Sequence, residues 1–164
     1  MGWEKEIEEL RRREALAARM GGPEKVKRQH DGGKLTVRER VARLLDQDSF
    51  HEIGGLAGWA KYGENGELAD FTPANLIFGR GRIGGRPVAV TGDDFTVRGG
   101  ANDGGIKNKL LAVERMACDL RLPLVRLVDG TGGGGSVKNL ELQDHSPMPK
   151  AFLWDWWTDN LSEV

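Results

Sequence analysis

The residues of this 164-residue chain best placed to do chemistry are the glycines of segment 124–136, Leu-Val-Arg-Leu-Val-Asp-Gly-Thr-Gly-Gly-Gly-Gly-Ser. Gly130, Gly132, Gly133, Gly134 and Gly135 strip the backbone of side chains, so it can take positive φ and let another molecule approach its N–H groups. Two convergent N–H groups there would make an oxyanion hole for a carbonyl oxygen that gains charge. One such donor is worth on the order of 3 kcal/mol of barrier. A plain flexible loop is the competing reading, because short glycine patterns recur without function. His30, His51 and His145 have no catalytic spacing to one another and read as surface or packing residues. Ser136 has no paired histidine, and a serine nucleophile needs one.

Positioning such glycines requires a strand before them. Leu124, Val125, Leu127 and Val128 follow Pro123 and predict a short buried strand ending at Asp129. Upstream, Ile106, Leu110, Val113, Ala117 and Leu120 recur every three or four residues and predict an amphipathic helix over 102–120. Two β-type runs, 75–82 and 83–92, meet at Gly84-Gly85 and predict a tight hairpin. Residues 93–100 read as a third extended stretch ending in Gly99-Gly100. Hairpin, helix, strand is thus the local plan. A helix crossing between strands places the glycine loop at a carboxyl edge of the sheet, where open α/β sheets hold ligands.

The amino-terminal part reads as support. Residues 3–20 carry Trp3, Ile7, Leu10 and Leu16 at near-helical spacing, with glutamates before arginines, as the helix dipole favours. Gly21, Gly22 and Pro23 end this arm. Lys25, Lys27, Arg28, His30 and Lys34 then form a basic connector. Thr36 and Glu39 have the form of a capping box for a helix over 37–45, with Val37, Val41, Leu44 and Leu45 inward and Arg38, Arg40 and Arg43 outward. Residues 48–53 read as a turn into a strand, and 54–72 as an irregular, exposed excursion. Near the end, Phe152, Trp154, Trp156 and Trp157 form an aromatic cluster that needs cover.

Composition bounds the function. A net charge of −1 excludes a globally basic nucleic-acid binder, and no apolar run approaches the roughly 20 residues of a membrane span. The first 20 residues lack a signal-peptide core, so a cytoplasmic location is expected. The single cysteine, Cys118, excludes an internal disulfide and a multi-cysteine metal site, so no metal is expected. Its place in a helical pattern predicts a buried small hydrophobe.

Four segments in order resemble the β-type carboxyltransferase subunit of the biotin-dependent acetyl-, propionyl- and methylcrotonyl-CoA carboxylases. They are Gly33-Lys34-Leu35-Thr36-Val37-Arg38-Glu39-Arg40 with Leu44-Leu45-Asp46, then residues 94–100, then 123–129 with the glycines, then Trp154-Asp155-Trp156-Trp157 with 160–164. The resemblance implies an α/β, crotonase-like fold of the Clp-protease/crotonase superfamily, a ββα spiral, incomplete here, with an amino-terminal helical arm. It divides the chain into an arm and connector, 1–34, and the first part of the acyl-CoA-binding domain, 35–164. It further implies carboxyl transfer from carboxybiotin to an acyl thioester, with Gly132 and Gly133, and Gly134 next, as backbone oxyanion donors. Relatives often read Asp-Ser-Gly-Gly-Ala-Arg where this chain has Asp129-Gly130-Thr131 and four glycines, so which two N–H groups act stays open.

By the same resemblance Gly99 and Gly100 belong to the CoA channel, and Lys34, Arg38 and Arg40 are candidates for CoA phosphates. Biotin would come on a separate carrier protein or domain, with biotin carboxylase and carrier subunits as partners and a homotrimer or homohexamer as assembly. Biotin itself can take the proton, so no His or Asp base is required. The end at Val164 falls in the lead-in to another element, which predicts an open sheet edge and half of a site. A different class of function is then a truncated, non-catalytic assembly or interaction module. A third reading, a Clp-protease-like or hydratase-like crotonase relative, would need a Ser, His or Glu at the site.

Overall fold

The computed structural model describes residues 2–100 and 107–130. Its main sheet has the order β1-β4-β5-β6, formed by His51–Ile53 (β1), Leu76–Ile83 (β4), Arg86–Asp93 (β5) and Leu124–Leu127 (β6). β1 and β5 run antiparallel to β4, whereas β6 pairs parallel to β5, with Ala89 opposite Leu124 and Gly92 opposite Leu127. Gly84 and Gly85 both hold positive φ, 56° and 79°, at the β4–β5 turn, which is why two glycines stand there. The turn is also pinned from outside. Asp46 accepts from Gly84 N at 2.8 Å and Gly85 N at 2.7 Å.

Alternation along β4 and β5 divides the core into two layers. Ile77, Val88 and Val90 point to one face, where Val37, Val41 and Leu45 of the Val37–Leu44 helix (α3) and its end cover them. Phe78 and Ala89 point to the other, against Val113 and Ala117 of the Lys107–Asp119 helix (α4). Each fully buried valine here contributes about 1.5–3 kcal/mol. α3 begins with the predicted capping box: Glu39 N donates to Thr36 Oγ1 and Thr36 N donates to the Glu39 carboxylate. His30, foremost, and the Thr36 donors hold that carboxyl down at about 2.

The Glu4–Ala18 helix (α1) matches the expected arm. The connector is a correction: Pro23–Asp31 is a helix (α2) with Pro at its first turn, a position where the missing N–H costs nothing. Its basic residues had masked a helical repeat whose inward member is polar, Gln29, 7% exposed. The supposed excursion is a second correction. Gly58–Tyr62 (β2) and Leu68–Pro73 (β3) form a two-stranded antiparallel sheet whose Leu68 and Phe71 pack on Leu16 and Ala17 of α1. A pair of strands with one buried edge gives only two or three apolar positions, too few for a visible alternation.

Of residues 93–100 only Asp93, the end of β5, is extended strand. Asp94 N donates to Asn75 O, Val97 N to Asp94 O and Gly100 N to Val97 O, so the chain folds into tight turns and a short 3-10 helix at Arg98–Gly100. Asp94 drives this by accepting from Thr96 N at 2.9 Å and Thr96 Oγ1 at 2.6 Å. Cys118 is exposed, not buried, and Leu120 is 53% exposed; among the described side chains of α4, Val113 and Ala117 are the hydrophobic ones buried in the core. β6, expected to be buried, is half-buried at Leu124, Val125 and Leu127, at the edge of the described sheet. The Trp154 to Trp157 cluster lies outside the described residues.

Replacing Thr36 by Ala removes the acceptor for Glu39 N and should cost about 1–2 kcal/mol. Urea unfolding checks it, the expected outcome being a lower midpoint at unchanged slope.

Candidate active site

Parallel pairing brings two chain exits to one edge. The turn after β5 ends at Gly99 and Gly100, with φ of 66° and 62°, a conformation that favours glycine. The exit from β6 runs through Asp129 and Gly130. These two backbones touch: a Cβ placed on Gly130 would lie 2.6 Å from Gly100 O, and one on Gly100 would lie 3.0 Å from Gly130 Cα. A side chain at Gly130 would force the backbone to shift, and one at Gly100 would be both crowded and strained by the positive φ. The result is a cradle of bare backbone from which the glycine run departs.

Asp93, the last residue of β5, ties the junction. Its Oδ2 accepts from Asp129 N at 3.1 Å and from Gly130 N at 3.2 Å. The Asp129 carboxylate faces the arm side, accepting from Gln29 Nε2 at 3.1 Å and Lys34 Nζ at 3.2 Å. Lys34 Nζ also stands 5.2 Å over the Phe95 ring, a cation–π contact. At the other end of α2, Gly21 N donates to Thr96 Oγ1 at 2.9 Å. α2 is therefore fastened to both exits.

Of the residues expected at the site, Gly99, Gly100 and Lys34 come together at this junction. Arg38 and Arg40 lie on α3, both partly buried. Arg38 makes a two-pronged ion pair with Glu52, at 2.7 and 3.2 Å, while its Nε is buried without a hydrogen-bond partner. Gly132, Gly133 and Gly134 lie outside the described residues. His30 pairs with Glu39 at the surface.

A second charged group adjoins Arg38. Lys109 of α4 is 8% exposed, and burial first, with Arg38 adding, pulls its amine down to about 8 against the opposing pull of Glu52. Burial chiefly raises the Asp94 carboxyl, opposed by its Thr96 bonds and by Arg38. Sequence reading missed Gln29, Glu52, Asp93 and Lys109. The Asp93-Asp94 pair at a strand end was the available signal for one of them, since two adjacent acidic residues there need donors.

The β4–β5–α4–β6 unit and the backbone cradle at its edge define a crotonase-like α/β protein of the carboxyltransferase type. Residues 28–143 match the family described as Carboxyl transferase domain, and the chain belongs to that family. It is 37% identical over 126 residues to the mitochondrial propionyl-CoA carboxylase beta chain of Homo sapiens, covering 76% of this chain and 23% of that protein. It is 33% identical over 132 residues to the propionyl-CoA carboxylase carboxyltransferase subunit of Haloferax mediterranei, covering 80% and 26%. Among solved structures it resembles transcarboxylase 12S, a hexamer with methylmalonyl-coenzyme A and methylmalonic acid bound, at a TM-score of 0.69 and 29% identity over 86% of this chain and 28% of that one. The chain thus spans about a quarter of the length of these relatives. Among the described residues no helix is long and apolar enough to cross a membrane.

The buried amine gives a pH signature. Because the Lys109 pKa in the fold, about 8, lies below its ordinary 10.5, the unfolded chain binds more protons between those values. Stability should therefore rise with pH across that window. Urea midpoints measured from pH 7.5 to 10.5 should climb more steeply for the parent chain than for Lys109→Met, which lacks the titrating group.

Proposed function

We propose that this chain is the amino-terminal, acyl-CoA-binding part of a cytoplasmic carboxyltransferase β subunit that carries a carboxyl group to an acyl thioester. Residues 1–34 serve as arm and connector and 35–164 as the first part of the acyl-CoA domain. The observation that carries the reading is the side-chain-free contact of Gly100 with Gly130 at the shared edge of β5 and β6, in a chain of the carboxyl transferase family. A thioester laid along that cradle meets backbone, and the glycine run beginning there supplies N–H groups. Gly132 and Gly133, with Gly134 next, are the donors assigned to the thioester oxygen as it becomes an enolate. Biotin, held on a separate carrier protein or domain, supplies the carboxyl group when bound.

Gly99 and Gly100 line the CoA channel in this reading. Lys34 is the better phosphate candidate of the three cations, since its amine is half exposed beside the junction. Arg38, already paired with Glu52, and Arg40 contribute positive potential from α3. Biotin carboxylase and biotin carrier subunits are the partners, in a homotrimeric or homohexameric assembly. A second reading, a non-catalytic assembly module, draws on Trp3, Ile7 and Leu10, which α1 leaves 74%, 45% and 45% exposed.

Calorimetric titration of the chain with short acyl-CoA thioesters, with free CoA as control, separates the two. Saturable binding that weakens on the order of tenfold in Gly133→Val, about 1.4 kcal/mol, as a side chain crowds the backbone approach, is the expected result. A folded, discrete oligomer that binds no acyl-CoA would overturn the first reading in favour of the second.

A further inference from the structure

We propose that Lys109 is an acyl-acceptor site, an amine that takes a short acyl group from a thioester to form a stable amide. The proposal goes beyond the acyl-CoA reading and does not depend on it. Lys109 belongs to α4, on one face of the main sheet, and Arg38 to α3, on the other. Both reach β1, the strand at one end of the described sheet order, where Glu52 pairs with Arg38 at 2.7 Å and attracts the Lys109 amine. Over the end of the lysine the chain turns through Gly54 and Gly55, and Ala57 N closes the turn by donating to Gly54 O at 3.0 Å. Gly54 is exposed and holds a φ of 66°. A Cβ there would lie 3.6 Å from Lys109 Cε and 3.9 Å from Phe78 Cε1, and one on Gly55 would lie 3.4 Å from the Glu52 carboxyl. One layer of backbone without side chains therefore separates the lysine and the carboxylate from solvent.

A thioester is attacked by a neutral amine, and two features favour that form of Lys109: burial, which leaves the residue 8% exposed, and the neighbouring cation of Arg38. Desolvation and an adjacent cation are means by which proteins activate a lysine nucleophile. Together they bring the amine from 10.5 to about 8, with Glu52 opposing. At pH 7 the free base is then on the order of 300-fold more abundant than on an ordinary lysine. Lower basicity and the depth of the amine take back part of that gain and leave roughly tenfold in rate. In the reaction the amine nitrogen bonds to the thioester carbonyl carbon. The C–S bond breaks with its electron pair on sulfur, and the amine's proton passes to the thiolate through water, so the products are a thiol and a neutral amide. The amide suits this set of charges better than the ammonium does. It ends the repulsion with Arg38, leaves the Arg38–Glu52 pair closed at 2.7 and 3.2 Å, and adds a carbonyl oxygen to a set in which Arg38 Nε is buried without an acceptor. Asp94, the other carboxyl that feels Arg38, keeps its own bonds to Thr96.

The test uses the full chain and N,S-diacetylcysteamine, a short thioester that carries no nucleotide, so a chain that fails to bind CoA still gives a readout. Peptide mass spectrometry follows acetylation of Lys109 from pH 7 to pH 10.5, with Nα-acetyllysine amide in the same solution as an ordinary lysine. At pH 7 Lys109 should acetylate roughly tenfold faster than this standard, and in urea, where burial is gone, no faster. Its rate should level off above about pH 8, whereas that of the standard goes on rising. The chain acetylated at Lys109 should stay folded and lose the part of the rise in urea midpoint with pH that the titrating amine gives the parent. A folded chain in which Lys109 acetylates no faster than the standard overturns the proposal. So does a rate that keeps climbing with that of the standard up to pH 10.5, and so does a chain that unfolds once Lys109 is acetylated.

Discussion

The parallel pairing of β5 with β6 is the constraint on which the rest depends. Antiparallel neighbours would send the two exits to opposite ends of the sheet. Parallel neighbours send both to one end, and the register of Gly92 with Leu127 makes them leave almost level. A turn and a strand end then have to occupy the same space, which is possible only without side chains. Gly100 and Gly130 follow from that geometry, as does a carboxylate at Asp93 to absorb the two N–H groups left over when the ladder stops.

Charge around the junction is arranged in two separate sets. Asp93 and Asp129 meet donors from the backbone and from α2, and remain partly exposed. Arg38, Glu52, Lys109 and Asp94 form a more buried set linking α3, β1, α4 and the turn after β5. The shifts of Asp94 and Lys109 share one leading cause, burial, which opposes both charges; Arg38 offsets it for Asp94 and Glu52 for Lys109. Breaking one partner of such a set costs more than the set contributes, because the remaining charge is stranded.

Much of this was legible in the residues. The capping box at Thr36 and Glu39, the Gly84-Gly85 hairpin and the helix over residues 107–119 each carry a local signal strong enough to survive tertiary context. The β2–β3 pair and α2 were not legible because their inward positions are few or polar: Leu68 and Phe71 in one, Gln29 in the other. Asp94 explains the lost third strand, since an aspartate that bonds to the amide two residues on competes with extension. Cys118 and Leu120 were misjudged by periodicity, which marks a helical face but not how wide a strip of it is covered. At the site, backbone crowding between Gly100 and Gly130 is a property of two segments thirty positions apart, and a single sequence has no means of displaying it.

The fastening of α2 at both ends carries a consequence for how the molecule comes into being. Gln29 and Lys34 reach Asp129 across separations of 100 and 95 residues, and Gly21 reaches Thr96 across 75. A growing chain emerges amino terminus first, so α2 exists long before its partners. At ordinary rates of synthesis roughly 5–20 s pass between the appearance of Gln29 and that of Asp129. During that interval α1 has its own company in β2 and β3, whereas α2 keeps only the local bonds of Gln29 to Leu35 and His30 to Glu39 until Thr96, and later Asp129, arrive. Among the described strands β6 emerges last, and its exit closes the clasp through the longest sequence separations among the described hydrogen bonds.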